Sequence, residues 1–325
     1  MRAVSVHSFG DLDAVGLEEH PDPVAGEGDV VVEVRAAPLN FVDLLTFRGE
    51  YQFRPHLPYI PGKGPAGIVR SVGPAVVGLA CGDRVLAMAE YGGHAEQVVV
   101  DHTQVYPLPE GVGFDDAASI SLAYDTGWMA LRERARFAAG ESVLVLGATG
   151  AVGQAVVALA RAMDAGIVLG GVSRAGRATG PVDGVVDLAR PNLRDSVREQ
   201  VLAATDGRGV DVVIDMLGGD PFDGAVRSLA WRGRLVVVGF AAGRIPTLQM
   251  NYPMLKNIEI SGLQISDYRK RAPELVARCF AEVFGLCTSG RVAPPPCEVF
   301  ALDDWRKAYE KLAARESSRR LLLRP

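Results

Sequence analysis

Three glycines spaced three residues apart are the residues of this chain best suited to bind a phosphate group. Gly147, Gly150 and Gly153 follow a β-branched apolar run and precede a helical pattern. Glycines let the backbone approach phosphates closely, and the unpaired N–H groups at a helix start face the negative charge. The spacing alone is weak evidence, but its place between a strand and a helix predicts a dinucleotide site. The predicted cofactor-binding residues of this turn are Gly147, Thr149, Gly150, Ala151, Val152 and Gly153.

The segment after the next predicted strand distinguishes between the two nicotinamide cofactors. An NAD site usually has an Asp or Glu about 20 residues after the glycines, which binds the ribose hydroxyls. Here the strand ends in Ser173, Arg174 and Arg177, with no carboxylate among residues 170–177. The serine hydroxyl and the two guanidinium groups could bind a 2′-phosphate through charge-assisted hydrogen bonds. The sequence therefore favours NADPH, with a solvated basic loop as the alternative.

Alternating strands and helices are needed to position these residues. From about Ser119, apolar runs with helical patterns between them predict an α/β domain with a doubly wound parallel sheet. Gly239 and Phe240 follow the fifth strand, at the carboxyl edge where such folds bind ligands, and are predicted cofactor residues. The predicted strands are 143–146, 167–172, 185–187, 210–214, 234–238 and 258–260.

The N-terminal part of the chain has a different pattern, rich in Gly, Pro and short alternating apolar runs. It predicts an irregular β-domain with strands near 30–35, 67–72 and 84–88. After the prolines at 294–296 the chain has a further apolar run, a helical pattern at 303–314 and a strand pattern that begins at Arg320. We expect this terminal strand to pair with the first domain.

Composition and charge narrow the class of protein. The 325 residues are 48% hydrophobic and 22% charged, as in ordinary globular proteins, and suffice for two domains. A net charge of −5 gives no electrostatic reason to expect a nucleic acid partner. No apolar run approaches the ~20 residues of a transmembrane helix, and the N-terminus lacks a signal-peptide core. We therefore expect a cytoplasmic protein without a membrane partner.

The four cysteines give no indication of a metal site. None is spaced as C-x-x-C, so they are expected to be buried apolar residues rather than ligands or disulfides.

Several short blocks in a fixed order make the chain resemble a known superfamily. They are Asn40-Phe-Val-Asp43, Arg48-Gly-Glu-Tyr51, Pro61-Gly62, Gly67-Ile-Val with Val72-Gly73, Gly82-Asp-Arg-Val85, the glycine turn, Gly207-Arg-Gly-Val-Asp211-Val-Val-Ile-Asp215 with Gly218-Gly219, and Gly233-Arg-Leu-Val-Val-Val-Gly239. Together they resemble the medium-chain dehydrogenase/reductase superfamily and, within it, the zinc-free quinone oxidoreductases. The resemblance implies a GroES-like β-rich catalytic domain at 1–120 and 292–325, and a Rossmann domain inserted at 121–291. It also implies a homodimer joined through the last Rossmann strand, near residues 258–262.

The zinc branch of that superfamily binds its catalytic metal through a Cys, a His and a second Cys. Here Asn40 takes the place of the first ligand, and the Gly-His-Glu place reads Gly62-Lys63-Gly64. No cysteine lies between Cys81 and Cys279, so we predict no metal site. Without a Lewis acid, hydride transfer favours acceptors that are already electrophilic, such as quinones and α,β-unsaturated carbonyls. The histidines of the first domain are expected in loops or at the surface; they are His56, His94 and His102.

The resemblance also implies roles for individual residues. Asn40 lies beside the nicotinamide, where its amide could donate to a substrate oxygen or contact the cofactor; a loop-capping Asn is the alternative. Tyr51 resembles a pocket tyrosine that could donate a hydrogen bond or proton to an enolate, although water could supply that proton. The remaining implied cofactor contacts are Thr126, Leu263 through its backbone, and Arg320, which keeps the charge of a family lysine.

Lys63 departs from the family pattern, and two explanations stay open. It could place a cation near the site and favour an anionic substrate, or it could be a solvated lysine on the domain surface. Asp43 and Arg48 are expected to form a structural pair that shapes their loop.

The predicted function is an NADPH-dependent oxidoreductase that transfers hydride to quinones or other activated α,β-unsaturated carbonyls without zinc. An enoyl-thioester reductase of lipid or polyketide metabolism is the enzymatic alternative, because such domains share the pattern of Asn40 and Tyr51. A protein that binds NADPH without turnover is the alternative from another class.

Overall fold

The N-terminal part of the chain forms short strands, as its alternating apolar runs predict. The computed structural model describes residues 1–173, 180–315 and 317–325. The elements of this part are β1 (Arg2–Val6), β2 (Val15–Glu19), β3 (Asp29–Pro38), α1 (Phe41–Phe47), β4 (Ala66–Val72), β5 (Arg84–Ala87), β6 (Gln97–Asp101), β7 (Val105–Pro107) and α2 (Phe114–Trp128).

The middle of the chain alternates strands with helices, which confirms the predicted α/β pattern. β12 begins at Leu229 rather than at Arg234, because Leu229 is buried and pairs with Val210 of the preceding strand. The elements are β8 (Ser142–Leu146), α3 (Ala151–Ala162), β9 (Ile167–Val172), β10 (Gly184–Asp187), α4 (Leu193–Ala204), β11 (Val210–Asp215), α5 (Gly219–Ser228), β12 (Leu229–Val237), α6 (Asn251–Lys256), β13 (Glu259–Gly262) and α7 (Ile265–Arg271).

These middle strands form one parallel sheet in the order β10-β9-β8-β11-β12-β13. The order is that of doubly wound dinucleotide-binding sheets, in which the chain runs outwards from the first strand in both directions. β8, the first strand, is buried along its whole length, as its continuous apolar run predicts for a strand covered on both faces. The predicted Rossmann sheet is therefore confirmed, and the crevice of such sheets lies beyond the carboxyl end of β8.

The C-terminal part of the chain adds strands to the N-terminal β-sheet. Its elements are α8 (Pro273–Thr288), β14 (Cys297–Ala301), α9 (Trp305–Ala314) and β15 (Arg320–Arg324). β15 pairs parallel with β14 and antiparallel with the end of β3, where Leu322 lies opposite Pro38. The expected pairing of the terminal strand with the first domain is confirmed.

β3 is the central strand of this sheet, whose order is β14-β15-β3-β4-β5-β7, and β6 also pairs with it. The valines of β3 at positions 30, 32 and 34 are buried in a core with residues of β4, β5 and β6. Because β3 and β15 are antiparallel and Pro38 pairs with Leu322, Asn40 is brought towards Arg320.

The chain divides into two compact units. We call Met1–Leu122 with Tyr268–Pro325 the β-rich unit, and Ala123–Asp267 the Rossmann unit. The sequence predicts the second boundary at residue 292, whereas α8 belongs to the β-rich unit, where Phe280 packs against Tyr106 with ring centroids 4.6 Å apart. Among the helices that the structure describes, none is both long and apolar enough to cross a membrane.

Candidate functional site

The glycine turn after β8 has a backbone that only glycine accommodates. Gly147 has a φ of 85°, in the left-handed region. A Cβ at position 153 would lie 2.2 Å from the carbonyl oxygen of Gly147, which shows how closely the start of α3 packs on the turn. The N–H of Gly147 donates to the carbonyl of Gly171 at 3.0 Å, which ties the turn to β9.

The same turn fits a dinucleotide pyrophosphate. Gly150 is the N-cap residue of α3 and has no side chain to cap the N–H groups of the first turn. Gly150 is exposed and Ala151 and Val152 are half-buried, so these backbone donors lie at an accessible surface. Backbone N–H groups at a helix start are the donors that pyrophosphate uses in such folds. The residues present therefore suit the cofactor that the sequence predicts.

The predicted 2′-phosphate site is described only in part. Ser173 follows β9 and is exposed to solvent. Arg174 and Arg177 lie outside the described residues, so their contacts with a phosphate stay a prediction.

The other predicted cofactor residues of the Rossmann unit are spread over three segments. Thr126 is buried on α2, and its hydroxyl lies 3.2 Å from Oδ1 of Asp125. Gly239 and Phe240 follow β12, and the Phe240 side chain is exposed. The N–H of Leu263 donates to the carbonyl of Val237 at 2.9 Å, so this N–H is paired with β12, and a contact of the Leu263 backbone with a cofactor stays a prediction.

Asp215 is a buried carboxylate at the carboxyl end of β11 that sequence reasoning did not assign to the site. Its Oδ1 accepts the N–H groups of Leu217 and Gly218 at 2.8 and 3.0 Å. Its Oδ2 is buried and has no hydrogen-bond partner among the described residues. Burial raises the pKa of Asp215 to about 6, despite the two N–H groups that lower it.

Asn40 has its side chain held between β3, β15 and the loop of Lys63. Its Oδ1 accepts a hydrogen bond from Arg320 at 2.9 Å, which fixes the orientation of the amide. Its Nδ2 lies 3.4 and 3.5 Å from the carbonyl oxygens of Pro38 and Lys63, at the long limit for a hydrogen bond. The amide N–H groups are thus weakly bound and suited to donate to another oxygen. Arg320, predicted as a cofactor contact, lies against the predicted catalytic Asn40.

Asp43 caps α1 rather than pairing with Arg48. Its Oδ2 accepts the backbone N–H of Asn40 at 2.8 Å, as the Asn-to-Asp spacing of a capping box favours. Burial raises the pKa of Asp43 to about 6, while the Asn40 N–H and the charges of Lys63 and Arg320 lower it. Arg48 is exposed at the end of α1, and the expected pair of Asp43 with Arg48 is not formed.

Lys63 is buried and not the solvated surface lysine of the second explanation. Only 2% of the residue is exposed, and its ammonium donates to the carbonyl oxygen and to Oε2 of Glu90 at 2.8 and 2.7 Å. Nη1 of Arg269 donates to Oε1 of the same carboxylate at 2.9 Å. Nζ lies 4.6 Å from the ring centroid of Tyr91 and 5.8 Å from that of Tyr51.

The sequence carried no local signal for Glu90 and Arg269. They lie 27 and 206 residues from Lys63, Glu90 in a loop and Arg269 on α7, and no spacing relates them. The structure therefore adds two charged residues to the predicted group of Asn40 and Tyr51.

His94 is buried, contrary to the expectation of a surface or loop histidine. Its Nε2 lies 3.1 Å from the carbonyl oxygen of Pro38, and its Nδ1 lies 2.7 Å from the hydroxyl of Tyr309. Because a carbonyl can only accept, we assign the proton to Nε2 and the donor role to the tyrosine. Burial lowers the pKa of His94 to about 4. His56 is exposed and His102 is half-buried.

Potential metal ligands do not come together in the part of the chain that the structure describes. No three His, Cys, Asp or Glu side chains there are grouped so that they could hold a metal ion. The cysteines vary in exposure: Cys279 is buried, Cys287 and Cys297 are half-buried, and Cys81 is exposed, unlike the expected buried apolar residue.

Comparisons with known proteins agree with this architecture. Residues 26–110 match a family model described as the alcohol dehydrogenase GroES-like domain, and residues 151–282 match one described as a zinc-binding dehydrogenase. Quinone oxidoreductase-like protein 2 of Bos taurus is 35% identical over 306 residues, which cover 94% of this chain and 87% of the relative.

Two further comparisons bear on the reaction. The crystal structure of Escherichia coli quinone oxidoreductase complexed with NADPH is similar with a TM-score of 0.89 and 26% identity, over 100% of both chains. Phthioceranic/hydroxyphthioceranic acid synthase of Mycobacterium bovis is 31% identical over 98% of this chain, but the match covers only 15% of the synthase.

Proposed function

We propose that this protein is an NADPH-dependent reductase of quinones or other activated α,β-unsaturated carbonyls, because the chain belongs to the quinone oxidoreductase-like proteins of the medium-chain dehydrogenase/reductase superfamily. One observation carries the proposal. At the places where the zinc branch has metal ligands, this chain holds Asn40 and Lys63, whose polar groups bind Arg320 and Glu90. These side chains are hydrogen-bond donors, which suit an acceptor that needs no Lewis acid.

The proposed reaction divides the work between cofactor and protein. When bound, NADPH supplies the hydride. The turn at Gly147, Gly150 and Gly153 holds the pyrophosphate through backbone N–H groups, and Asn40 and Tyr51 orient the acceptor and donate hydrogen bonds to its oxygen. The negative charge that develops on a conjugated carbonyl spreads to this oxygen, so donors fixed beforehand lower the barrier.

NADPH is proposed over NADH on the residues after β9. Ser173, Arg174 and Arg177 would bind the 2′-phosphate, and no carboxylate stands at the end of the strand to repel it. The E. coli relative complexed with NADPH supports this choice.

Reduction of enoyl thioesters is the second candidate, and the match to the Mycobacterium bovis synthase favours it. A substrate on a phosphopantetheine or CoA arm carries phosphate and favours a basic entry surface. The sequence shows no concentrated basic patch, and the net charge is −5, so small neutral acceptors remain our main proposal.

We also propose a homodimer and a cytoplasmic location. β13 is an edge strand of the parallel sheet, with β12 as its one paired neighbour in the described chain. An edge strand can pair with the same strand of a second copy, which would continue the sheet across the dimer.

The decisive experiment compares oxidation of NADPH and NADH with three acceptors at saturation: 1,4-benzoquinone, 1-octen-3-one and crotonyl-CoA. We expect turnover with the quinone or the enone, and faster turnover with NADPH than with NADH. Turnover with crotonyl-CoA alone would establish the thioester reductase instead. Binding of NADPH without oxidation by any of the three would contradict the proposed enzyme and favour a non-catalytic role.

A further inference from the structure

The buried ammonium of Lys63 has one N–H donor without an oxygen acceptor among the described residues. An ammonium group has three N–H donors, and Glu90 accepts two of them through its carbonyl oxygen and its carboxylate. In the described part of the chain, no other oxygen accepts a hydrogen bond from Nζ; its remaining contacts are with the rings of Tyr51 and Tyr91. A buried donor without an oxygen or nitrogen acceptor costs free energy, so this position favours a ligand that accepts.

Glu90 fixes the place of this ammonium. It binds Lys63 with two atoms and receives Arg269 on its other carboxylate oxygen. The single carboxylate of Glu90 is shared by Lys63 and Arg269, so it compensates the Lys63 ammonium only in part, although 97% of the Lys63 side chain is shielded from solvent. A partly compensated buried cation suits an oxygen that is neutral in the bound substrate and becomes negative during the reaction.

The groups around Nζ outline where such an oxygen would lie. Tyr91 is the closer ring, whereas Tyr51, at 5.8 Å, is near the limit of about 6 Å for a cation–π contact. Tyr51 is half-buried and lies outside regular secondary structure, between Glu50 and Gln52, which are exposed. A ligand oxygen that approaches Nζ beside the Tyr51 ring competes with this long cation–π contact and gains a charge-assisted hydrogen bond. The weakly bound amide of Asn40 lies 3.5 Å from the Lys63 carbonyl oxygen, in the same loop region.

We propose that Lys63 Nζ is a further hydrogen-bond donor, beside Asn40 and Tyr51, to the substrate oxygen on which negative charge develops, so that Lys63, held by Glu90, forms an oxyanion subsite. The ligand class is a conjugated carbonyl or the phenol or enol derived from it. This inference rests on the proposed reduction of such acceptors, and it assigns to Lys63 the charge stabilisation that zinc supplies in the metal-dependent branch.

A phenol that reports its own ionisation tests the subsite without turnover. 4-Nitrophenol carries its charge on an oxygen conjugated to a ring, as an enolate does, and its phenolate absorbs in the visible. We expect the wild-type protein, with and without NADP⁺, to bind the probe as phenolate at a pH where the free probe is mostly neutral. Lys63→Met should reduce phenolate affinity by about tenfold or more, the usual effect of a hydrogen bond to a charged group. Lys63→Arg should keep part of the effect.

Two control variants separate charge loss from misfolding. Lys307→Met removes an exposed lysine of α9, which pairs with Asp304 just before the helix. This variant should bind the probe as phenolate, as the wild type does. If Lys63→Met does not fold, Lys63→Gln removes the charge, keeps a donor for Glu90 and leaves the pair of Glu90 with Arg269 in place, so it should fold with the phenolate signal lost.

Failure of this subsite can be told apart from failure of the proposed function. Binding of the probe as neutral phenol by the wild type, no binding by the wild type, or equal phenolate binding by Lys63→Met would each overturn the subsite. None of these results depends on whether a quinone or enone is reduced. Conversely, a phenolate signal lost in Lys63→Met supports the subsite even when the quinone, the enone and crotonyl-CoA are not turned over.

Discussion

The buried polar side chains of Asn40, Lys63 and His94 in the β-rich unit are each held by a partner from another segment of the chain. Asn40, after β3, is fixed by Arg320 of β15, and Lys63 is fixed by Glu90. His94 is held between Pro38 and Tyr309, and a Cβ at Gly62 would lie 2.5 Å from its ring. This histidine therefore supports the backbone from which the Lys63 loop starts.

Because buried His94 is neutral in the native protein, its contribution to the free energy of unfolding depends on pH. Between pH 6.5 and 4 the unfolded chain binds a proton on His94 that the native protein does not, so the free energy of unfolding falls as pH falls. The shift to about 4 corresponds to about 3 kcal/mol. We expect the stability advantage of the wild type over His94→Asn to shrink by about this amount between pH 7 and pH 4, measured by urea unfolding.

The comparison with a variant is needed because two carboxyl groups act in the opposite direction. Asp43 and Asp215 have raised pKa values, so their contributions to stability grow as pH falls through about 6. Both are present in the wild type and in His94→Asn, and the difference between the two proteins isolates the histidine. An equal effect of His94→Asn at pH 7 and pH 4 would contradict the prediction.

At the scale of elements, the join of β8 to α3 decides whether the Rossmann unit can hold a cofactor. The strand β8 is fully buried. The turn must bring the start of α3 within van der Waals contact of Gly147 and leave the N–H groups of the first turn of α3 accessible. Both requirements are met by the absence of side chains at Gly147, Gly150 and Gly153.

Gly153→Ala tests this element. The new Cβ would lie 2.2 Å from the carbonyl oxygen of Gly147 and 2.8 Å from the Cα of Ala148. Both are backbone atoms, so the turn must open. We expect a loss of about 1–3 kcal/mol in stability and NADPH binding that is weaker by about tenfold or more, measured by thermal unfolding and NADPH fluorescence.

Gly285→Ala is the matched control for a glycine in a helix. Position 285 lies within α8, and a Cβ there would meet no atom within 4 Å. Because Ala is the better helix former, this variant should gain up to about 1 kcal/mol and bind NADPH as the wild type does. Unchanged NADPH affinity in Gly153→Ala would show that the turn is not the pyrophosphate site.

At the scale of the whole molecule, the two units divide the proposed functions. The Rossmann unit contains the glycine turn, and the β-rich unit, built from both ends of the chain, contains Asn40, Tyr51 and Lys63. A ligand that binds only the native protein stabilises it in proportion to the logarithm of its concentration over Kd, by about 2.7 kcal/mol at a hundredfold excess.

Stabilisation by the cofactor therefore reports its preference between the two nicotinamides. We expect NADPH to raise the Tm more than NADH at equal concentration. Arg174→Ala should reduce the NADPH shift and leave the NADH shift unchanged, because only NADPH has a 2′-phosphate. Arg35→Ala, which removes an exposed arginine paired with Glu33, is the control and should change neither shift. A larger shift with NADH would contradict the assignment of Ser173, Arg174 and Arg177.

Periodicity and turn chemistry in the sequence determined the elements of the Rossmann sheet and the glycine turn. These features depend on neighbours within a few residues, which set burial and backbone conformation. Tertiary structure alone decided the partners of the buried charges. Arg320 reaches Asn40 across 280 residues, and Glu90 in one loop binds both Lys63 in another loop and Arg269 on α7. A buried charge is stable only beside its counter-charge, and the pairing of distant strands and helices selects that partner.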